Sequence, residues 1–496
     1  MSRWPAQLLA NATSTCKELY GLLDLVIDVE TKRMSCPLPP PRELTDSRTR
    51  RLHFLQRLTS RRAHTLSAGA WSSLCLAGGK TSRGEVCRLG GPCLDDQYDE
   101  SDSETDDDAD PETQLLSWGG KLGEEALPSS AAHPSPVPVG GLLSSRFAVR
   151  EVAAGSSHCL LLTTSGQVFS WGADNSCGQL GHGHTAAVAT PTLLEALRSE
   201  RVMQVACGFE HSLVLTATGI VHSFGRGSLG RLGLGGEGDS WTPQPLTRVA
   251  HARERDFEAQ SVDDCAVDGE RMPRVTLVTA GLFHSMAVSE SGSLYSWGSG
   301  TNGRLGHGDT VMQLRPRRVE ALGSVEIVSS SAGAGHSVAI SSSGELFSWG
   351  QGYGGRLGHG NQAVQLLPQM VEALRREAIT SAVAGSEFTV ALTAKGAAYS
   401  FGTGDMTGSM WWGRGWAGGS LKSLEPVRIK ALSDVRLTEA AAGMAHTLLR
   451  DSSGQVFTFG AGHQGQLGHG NFKEQLVPKA VELVPKAVEL PLSPSP

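Results

Sequence analysis

The side chains of this sequence that could do chemistry are mostly histidines, and they recur. His158, His211, His284, His336 and His446 each stand three residues after a glycine, in strings such as AGSSHCLLL, CGFEHSLVL and AGAGHSVAI. A second set, His182, His307, His359 and His469, sits in loops of the form GxLGHG. Imidazoles can ligate metals or move protons, but one residue type repeated at one position of a repeating unit points first to hydrogen bonds in turns and strands. The nine cysteines are odd in number and contain no CxxC, which argues against a disulfide framework and against a zinc site. The run Gly78 to Thr81, GGKT, mimics the end of a phosphate loop, yet position 74 is Leu and no strand-to-helix context follows. Asn11-Ala12-Thr13 is a glycosylation sequon that has meaning only in a secreted chain, and MSRWPAQLLANATSTC lacks the basic, apolar and small-residue succession of a leader. Every His candidate is a repeat residue, so no Ser-His-Asp set can be singled out. The expectation is a chain with no catalytic residues, no metal and no cofactor.

What positions these histidines is a repeat. Glycine makes up 61 of 496 residues, about one in eight against a typical 7%, so the chain turns often. Gly69, Gly155, Gly208, Gly281, Gly333, Gly385 and Gly443 head seven copies, and Gly281, Gly333 and Gly385 stand 52 residues apart. Eleven residues after six of these come Gly166, Gly219, Gly292, Gly344, Gly396 and Gly454. Seventeen after the same six comes an aromatic-Gly pair, as in Trp171-Gly172, Phe224-Gly225 and Trp297-Gly298. HSLVLTATGIVHSFG reads as a hairpin whose turn ends in glycine. A Gly-rich loop, a third strand with Pro near its start, and a fourth run such as VMQVACG follow. Seven units of four antiparallel strands without a helical period predict an all-β, seven-bladed β-propeller of about 52-residue repeats. The expected boundaries are an N-terminal extension over 1–60, the propeller over 61–485 and a tail over 486–496. Insertions are expected at about 81–113 and 250–272.

The AGxxH start, the φSWG strand end (φ being apolar in most copies) and the GxLGHG loop resemble the repeat of the regulator of chromosome condensation family, from about residue 60 to 485. The resemblance implies a seven-bladed propeller. The first copy departs from the pattern with Ser72 in the His position and a compressed GKLG loop. The sixth departs with Phe388 and no GxLG loop.

Residues outside the repeat are the better functional candidates. Asp95 to Glu112 carries eleven carboxylates and no Lys or Arg, a composition that does not pack and reads as a solvated loop or an electrostatic arm. Ser101, Ser103 and Thr105 each have an acid three places on and are candidate phosphorylation sites. Arg48 to Arg62 holds six Arg and no acid, and reads as an import or anion-binding segment or as a partner for the acidic loop. The sixth unit's insertion, GDMTGSMWWGRGWAGGS, carries Trp411, Trp412, Arg414 and Trp416; Trp with Arg is the mixture enriched at binding hot spots, and packing over a neighbouring blade is the alternative.

Strand direction sorts the loops. The turns eleven residues after each heading glycine form one face, here the turn face, and the AGxx turns and GxLG loops form the other, the glycine face. The turn face would collect the acidic insertions, and the glycine face Arg231, Arg304, Arg356 and the Trp insertion, giving a two-faced field. The seventh unit lacks a fourth strand, which AHTLSAG (Ala63 to Gly69) would supply as a clasp between chain ends, the second copy of VPKAVEL (Val484 to Leu490) being the rival candidate. The function expected is a protein-interaction scaffold or adaptor, probing one protein partner as a monomer. The alternative, implied by the resemblance, is a guanine-nucleotide exchange factor for a small Ran-type GTPase. A photoreceptor of this fold carries a GWRHT motif, which no copy here has. No apolar run approaches a membrane span, and a net charge of −7 disfavours nucleic acid. A reducing compartment, cytoplasmic or nuclear, fits the cysteines.

Overall fold

The computed structural model describes residues 66–69, 72–77, 114–119, 133–138, 149–250, 270–403 and 423–483. Within them 28 strands form seven four-stranded antiparallel sheets, each built from four consecutive strands, and the helical elements are single 3₁₀ turns. The first strands of neighbouring sheets touch one another and so surround the middle of the molecule, and the fourth strands lie at the rim. This is an all-β propeller. Its core lies between sheets: Leu213, Leu215 and Val221 of the third sheet pack with Val275, Val278, Ala287 and Trp297 of the fourth. The aromatics of the φSWG ends are buried there, and Trp297 and Trp349 each donate their indole N–H to a carbonyl of the preceding sheet's loop, Arg231 and Arg304 respectively.

The rim strands are open edges, and their sequences guard them. Pro136, Pro191, Pro243, Pro316, Pro368, Pro426 and Pro478 each stand fourth in the outer strand of their sheet, where a missing N–H blunts pairing with another chain. The hairpin turns use glycine where the backbone requires it: Gly166 and Gly219 have φ of 87° and 81°.

Two expectations about strand order are corrected. The run expected to close each unit opens the next sheet instead: Val202–Cys207 pairs with His211–Thr216, Val205 opposite Val214. Accordingly Leu66–Ala68 pairs with Ser72–Ala77 in the first sheet, and the last sheet is complete from its own strands. The N-terminal strand is therefore no clasp. Its own AGxx turn joins it to the next strand within a few residues, and that local closure outcompetes pairing across the length of the chain. Contacts between sheets make the seam. Leu66 packs with Leu448, Val456 and Val481, its N–H bonds Glu439 Oε1 at 2.9 Å, and Ser73 bonds His446.

The repeated histidines hold the sheets to one another. His158 Nε2 lies 3.0 Å from Ser212 Oγ, His211 Nε2 2.8 Å from Ser285, and His284 Nε2 2.7 Å from Ser337. His336 Nε2 lies 2.9 Å from Thr389 Oγ1, and His446 Nε2 2.9 Å from Ser73 Oγ across the seam. Each of these hydroxyls already donates its proton to a carbonyl of the preceding sheet's loop, for example Ser337 to Arg304 O at 2.8 Å. The imidazole must then be the donor, with its proton on Nε2. The heading glycine makes room for it: a Cβ on Gly155 or Gly208 would collide with the ring of its own motif's histidine and with the carbonyl of the next heading glycine.

Burial pushes His158 down to about 4, and it pushes His211, His284 and His336 well below the usual 6.5. An unfolded chain binds protons at these sites from about pH 6.5 downward and the folded one does not. Buried Glu151, whose carboxyl is raised by desolvation, acts in the opposite sense. Stability should be flat in this respect above pH 6.5 and fall as the pH drops toward 4, His158 alone accounting for about 3 kcal/mol. Urea melts at pH 7.5, 6, 5 and 4.5 check this, and a midpoint unchanged between pH 7.5 and 4.5 would contradict it.

Candidate interaction surface

The glycine face is assembled from the AGxx turns and the GxLG loops. Each loop is plugged by its leucine, Leu180, Leu232, Leu305, Leu357 or Leu467, all buried. The strand serine before the aromatic then holds the loop down. Ser170, Ser296 and Ser348 donate to Leu180 O, Leu305 O and Leu357 O at 2.7–2.8 Å, and accept from His182, His307 and His359 at 2.9–3.0 Å. Thr458 does the same for Leu467 O and His469. Burial lowers the pKa of His307 to about 4 and shifts the other three in the same direction. All nine repeat histidines thus serve hydrogen bonds of the fold. Sequence reading passed over these hydroxyls, although a Ser or Thr precedes the aromatic in every copy.

Arg231, Arg304 and Arg356 do not form an exposed basic field. They are 2%, 6% and 2% exposed and act as struts. Each donates Nε to a carbonyl of its own loop, Ser228, Thr301 or Tyr353, at 2.9 Å. Each then reaches the AGxx turn of the next sheet, Leu282 O at 3.3 Å, Ala334 O at 2.8 Å and Ser386 O at 2.9 Å. Glu210 and Glu387 lie 3.5 and 3.7 Å from Arg231 and Arg356, while Arg231 and Arg304 cover the Phe283 ring. Burial, followed by the neighbouring Arg356 charge, lowers Arg304 to about 10.

What this face leaves to solvent includes large apolar side chains among polar ones such as Glu237, Gln362 and Lys473. At the loop tips Leu229, Tyr353 and Phe472 are 39%, 52% and 51% exposed. Trp411, Trp412, Arg414 and Trp416 lie outside the described residues, but the roots of their segment are placed. Gly402 pairs with Ser423, Thr403 N–H bonds Glu387 O at 2.9 Å, and Thr403 lies against Gly354, next to Tyr353. The segment leaves from the glycine face beside that tyrosine. Ser101, Ser103 and Thr105 also lie outside the described residues; the strands flanking 78–113 pair through Ala77 and Gln114, at the turn-face end of the first sheet. The second insertion starts and ends at an Arg248–Arg271 bridge, also on the turn face. Among the described residues no group of three or more His, Cys, Asp and Glu side chains could hold a metal ion.

Residues 109–410 match the RCC1-like domain, and residues 453–490 match the regulator of chromosome condensation (RCC1) repeat. The chain belongs to the RCC1-like family. It is 33% identical over 370 residues to the ultraviolet-B receptor UVR8 of Arabidopsis thaliana, covering 74% of this chain and 77% of that one. It is also 33% identical over 320 residues to the E3 ubiquitin-protein ligase HERC2 of Homo sapiens, covering 64% of this chain but 6% of that protein. Among solved structures, human WBSCR16 superposes with a TM-score of 0.58 at 23% identity, covering 74% of this chain and 94% of that one. Prp20p of Saccharomyces cerevisiae, studied with its binding to Gsp1p and histones, gives 0.55 at 21%, covering 76% and 80%. These two likenesses carry the fold. The GWRHT motif is absent from all copies in this sequence. Among the described residues no helix is long and apolar enough to cross a membrane.

Leu229 is the odd residue of this surface. Its φ is 61°, as is that of Asn302 at the same loop position, while Gly354 fills that position in the next sheet with a φ of 75°. Asn and Gly adopt the left-handed region readily, whereas Leu is strained there by roughly 1–2 kcal/mol. Leu229→Gly should therefore raise stability by about 1 kcal/mol. A thermal melt checks it, and a lower melting temperature would show that the exposed leucine packs.

Proposed function

We propose that this protein is an interaction scaffold or adaptor, a seven-bladed ring that presents its glycine face to one protein partner. The observation that carries the reading is a division of labour on that face. The histidines and the loop arginines are taken up by hydrogen bonds between and within sheets, while Tyr353 stands exposed beside the roots of the segment bearing Trp411, Trp412, Arg414 and Trp416. Exposed aromatics with an arginine are the composition of binding hot spots. Seven sheets and direct contact between the seventh and the first support the blade count. On this reading the acidic stretch around Ser101, Ser103 and Thr105, whose roots Ala77 and Gln114 pair at the turn-face end of the first sheet, is a site where phosphorylation adds charge. The protein acts as a monomer in the cytoplasm or nucleus, without nucleic acid.

A second reading is an exchange factor for a small Ran-type GTPase. Family membership and the fold shared with Prp20p, whose binding to Gsp1p has been studied, favour it. The two readings separate on nucleotide release from such a GTPase, which only the second accelerates.

Replacing Trp411, Trp412 and Trp416 together with Ala should weaken partner capture by about 2–4 kcal/mol per dominant Trp and leave the melting temperature unchanged. Quantitative affinity capture beside a thermal melt checks both. An early-melting triple variant would assign the tryptophans to packing.

A further inference from the structure

The rim strand of the seventh sheet contains a sequence that occurs twice. Residues 476–483 read LVPKAVEL, and residues 483–490 read LVPKAVEL again, the copies sharing Leu483. One position earlier Gln475 is answered by Glu482. In the structure the first copy supplies the strand Gln475–Ala480, with Ala480 opposite Phe457, Lys479 opposite Thr458 and Gln475 opposite Gly460. Just beyond it Val481 is 2% exposed and packs with Leu66, Leu448 and Val456 at the seam, with Leu483 beside them. Its N–H donates to Val456 O at 2.8 Å, and its carbonyl accepts from Gln455 Nε2 at 2.9 Å.

We propose that this rim strand has two interchangeable registers, seven residues apart. In the second, Glu482 to Ala487 replaces Gln475 to Ala480, Val488 replaces Val481 in the seam cluster, and Leu490 replaces Leu483. Every apolar contact and every backbone bond is reproduced by an identical residue, and only the pair to Gly460 changes, from Gln to Glu. Register is ordinarily fixed because a slip carries core side chains to the wrong face. A slip by one full copy carries each side chain to the place of its twin, so that protection is missing here. The cost is a longer loop. Residues 461–474 already connect this strand to its neighbour, and closure entropy grows only with the logarithm of length. The exchange moves seven residues between the C-terminal segment and the glycine-face loop that bears exposed Phe472. It changes the length of one loop on the proposed partner surface, and it stands whether or not that surface binds a partner.

The test uses the full chain and three variants: Val481→Asp, Val488→Asp, and both together. An aspartate in one copy excludes one register and leaves the other intact. Each single variant should melt within about 1 °C of the wild type, and the double variant at least about 5 °C lower. If either single substitution lowers the melting temperature as far as the double while the other is silent, the strand has one register and the proposal is overturned.

Discussion

The structure depends on one hydrogen bond made five times over. An imidazole at the start of a sheet's second strand donates to a hydroxyl at the corresponding place in the next sheet, and that hydroxyl donates to the loop carbonyl of the sheet the imidazole came from. Both groups lie in a dry joint, where an unpaired donor or acceptor costs about 1–3 kcal/mol, so each fixes the other. The heading glycine, the hydroxyl after the histidine and the tight loop leucine all follow from fitting this arrangement between two packed sheets. The repetition of the sequence is the repetition of this joint.

Two joints lack it, and they fall at two of the three sheets that carry added sequence. Ser72 replaces the histidine in the first sheet, and the residue that would have accepted in the second is Cys159, buried and unable to serve as a strong acceptor. Phe388 replaces it in the sixth, where the ring covers the heading Gly385 by apolar contact instead. The first sheet carries residues 78–113 and the sixth carries residues 404–422. The chain has also taken on additional sequence between Arg248 and Arg271, after the third sheet, where the relay is intact; sequence added to a repeat scaffold is where function is expected.

The period, the hairpins and the propeller class were legible because the same short-range constraints recur at fixed offsets. The phase of the unit was not. A run such as VMQVACG reads equally well as the end of one sheet or the start of the next, and only the short turn at Gly208 decides for the second. Nor was the burial of Arg231, Arg304 and Arg356 legible, since their guanidinium groups are satisfied by carbonyls of a sheet that lies many residues later. The strand hydroxyls escaped for a different reason: Ser and Thr are common in strands, and the recurrence of a hydroxyl in every copy was the signal. Of the candidate site, the sequence supplied the tryptophans, and the structure added the exposed tyrosine at their root.

The most direct measurement of the central claim is a double-mutant cycle at one joint, with His284→Ala, Ser337→Ala and the pair, read by urea unfolding at pH 7.5. The relay predicts that each single change costs about 1–3 kcal/mol and that the two are coupled by 0.5 kcal/mol or more, because removing one partner strands the other. Additive losses would mean that imidazole and hydroxyl contribute independently, and the joint would then be held by packing alone.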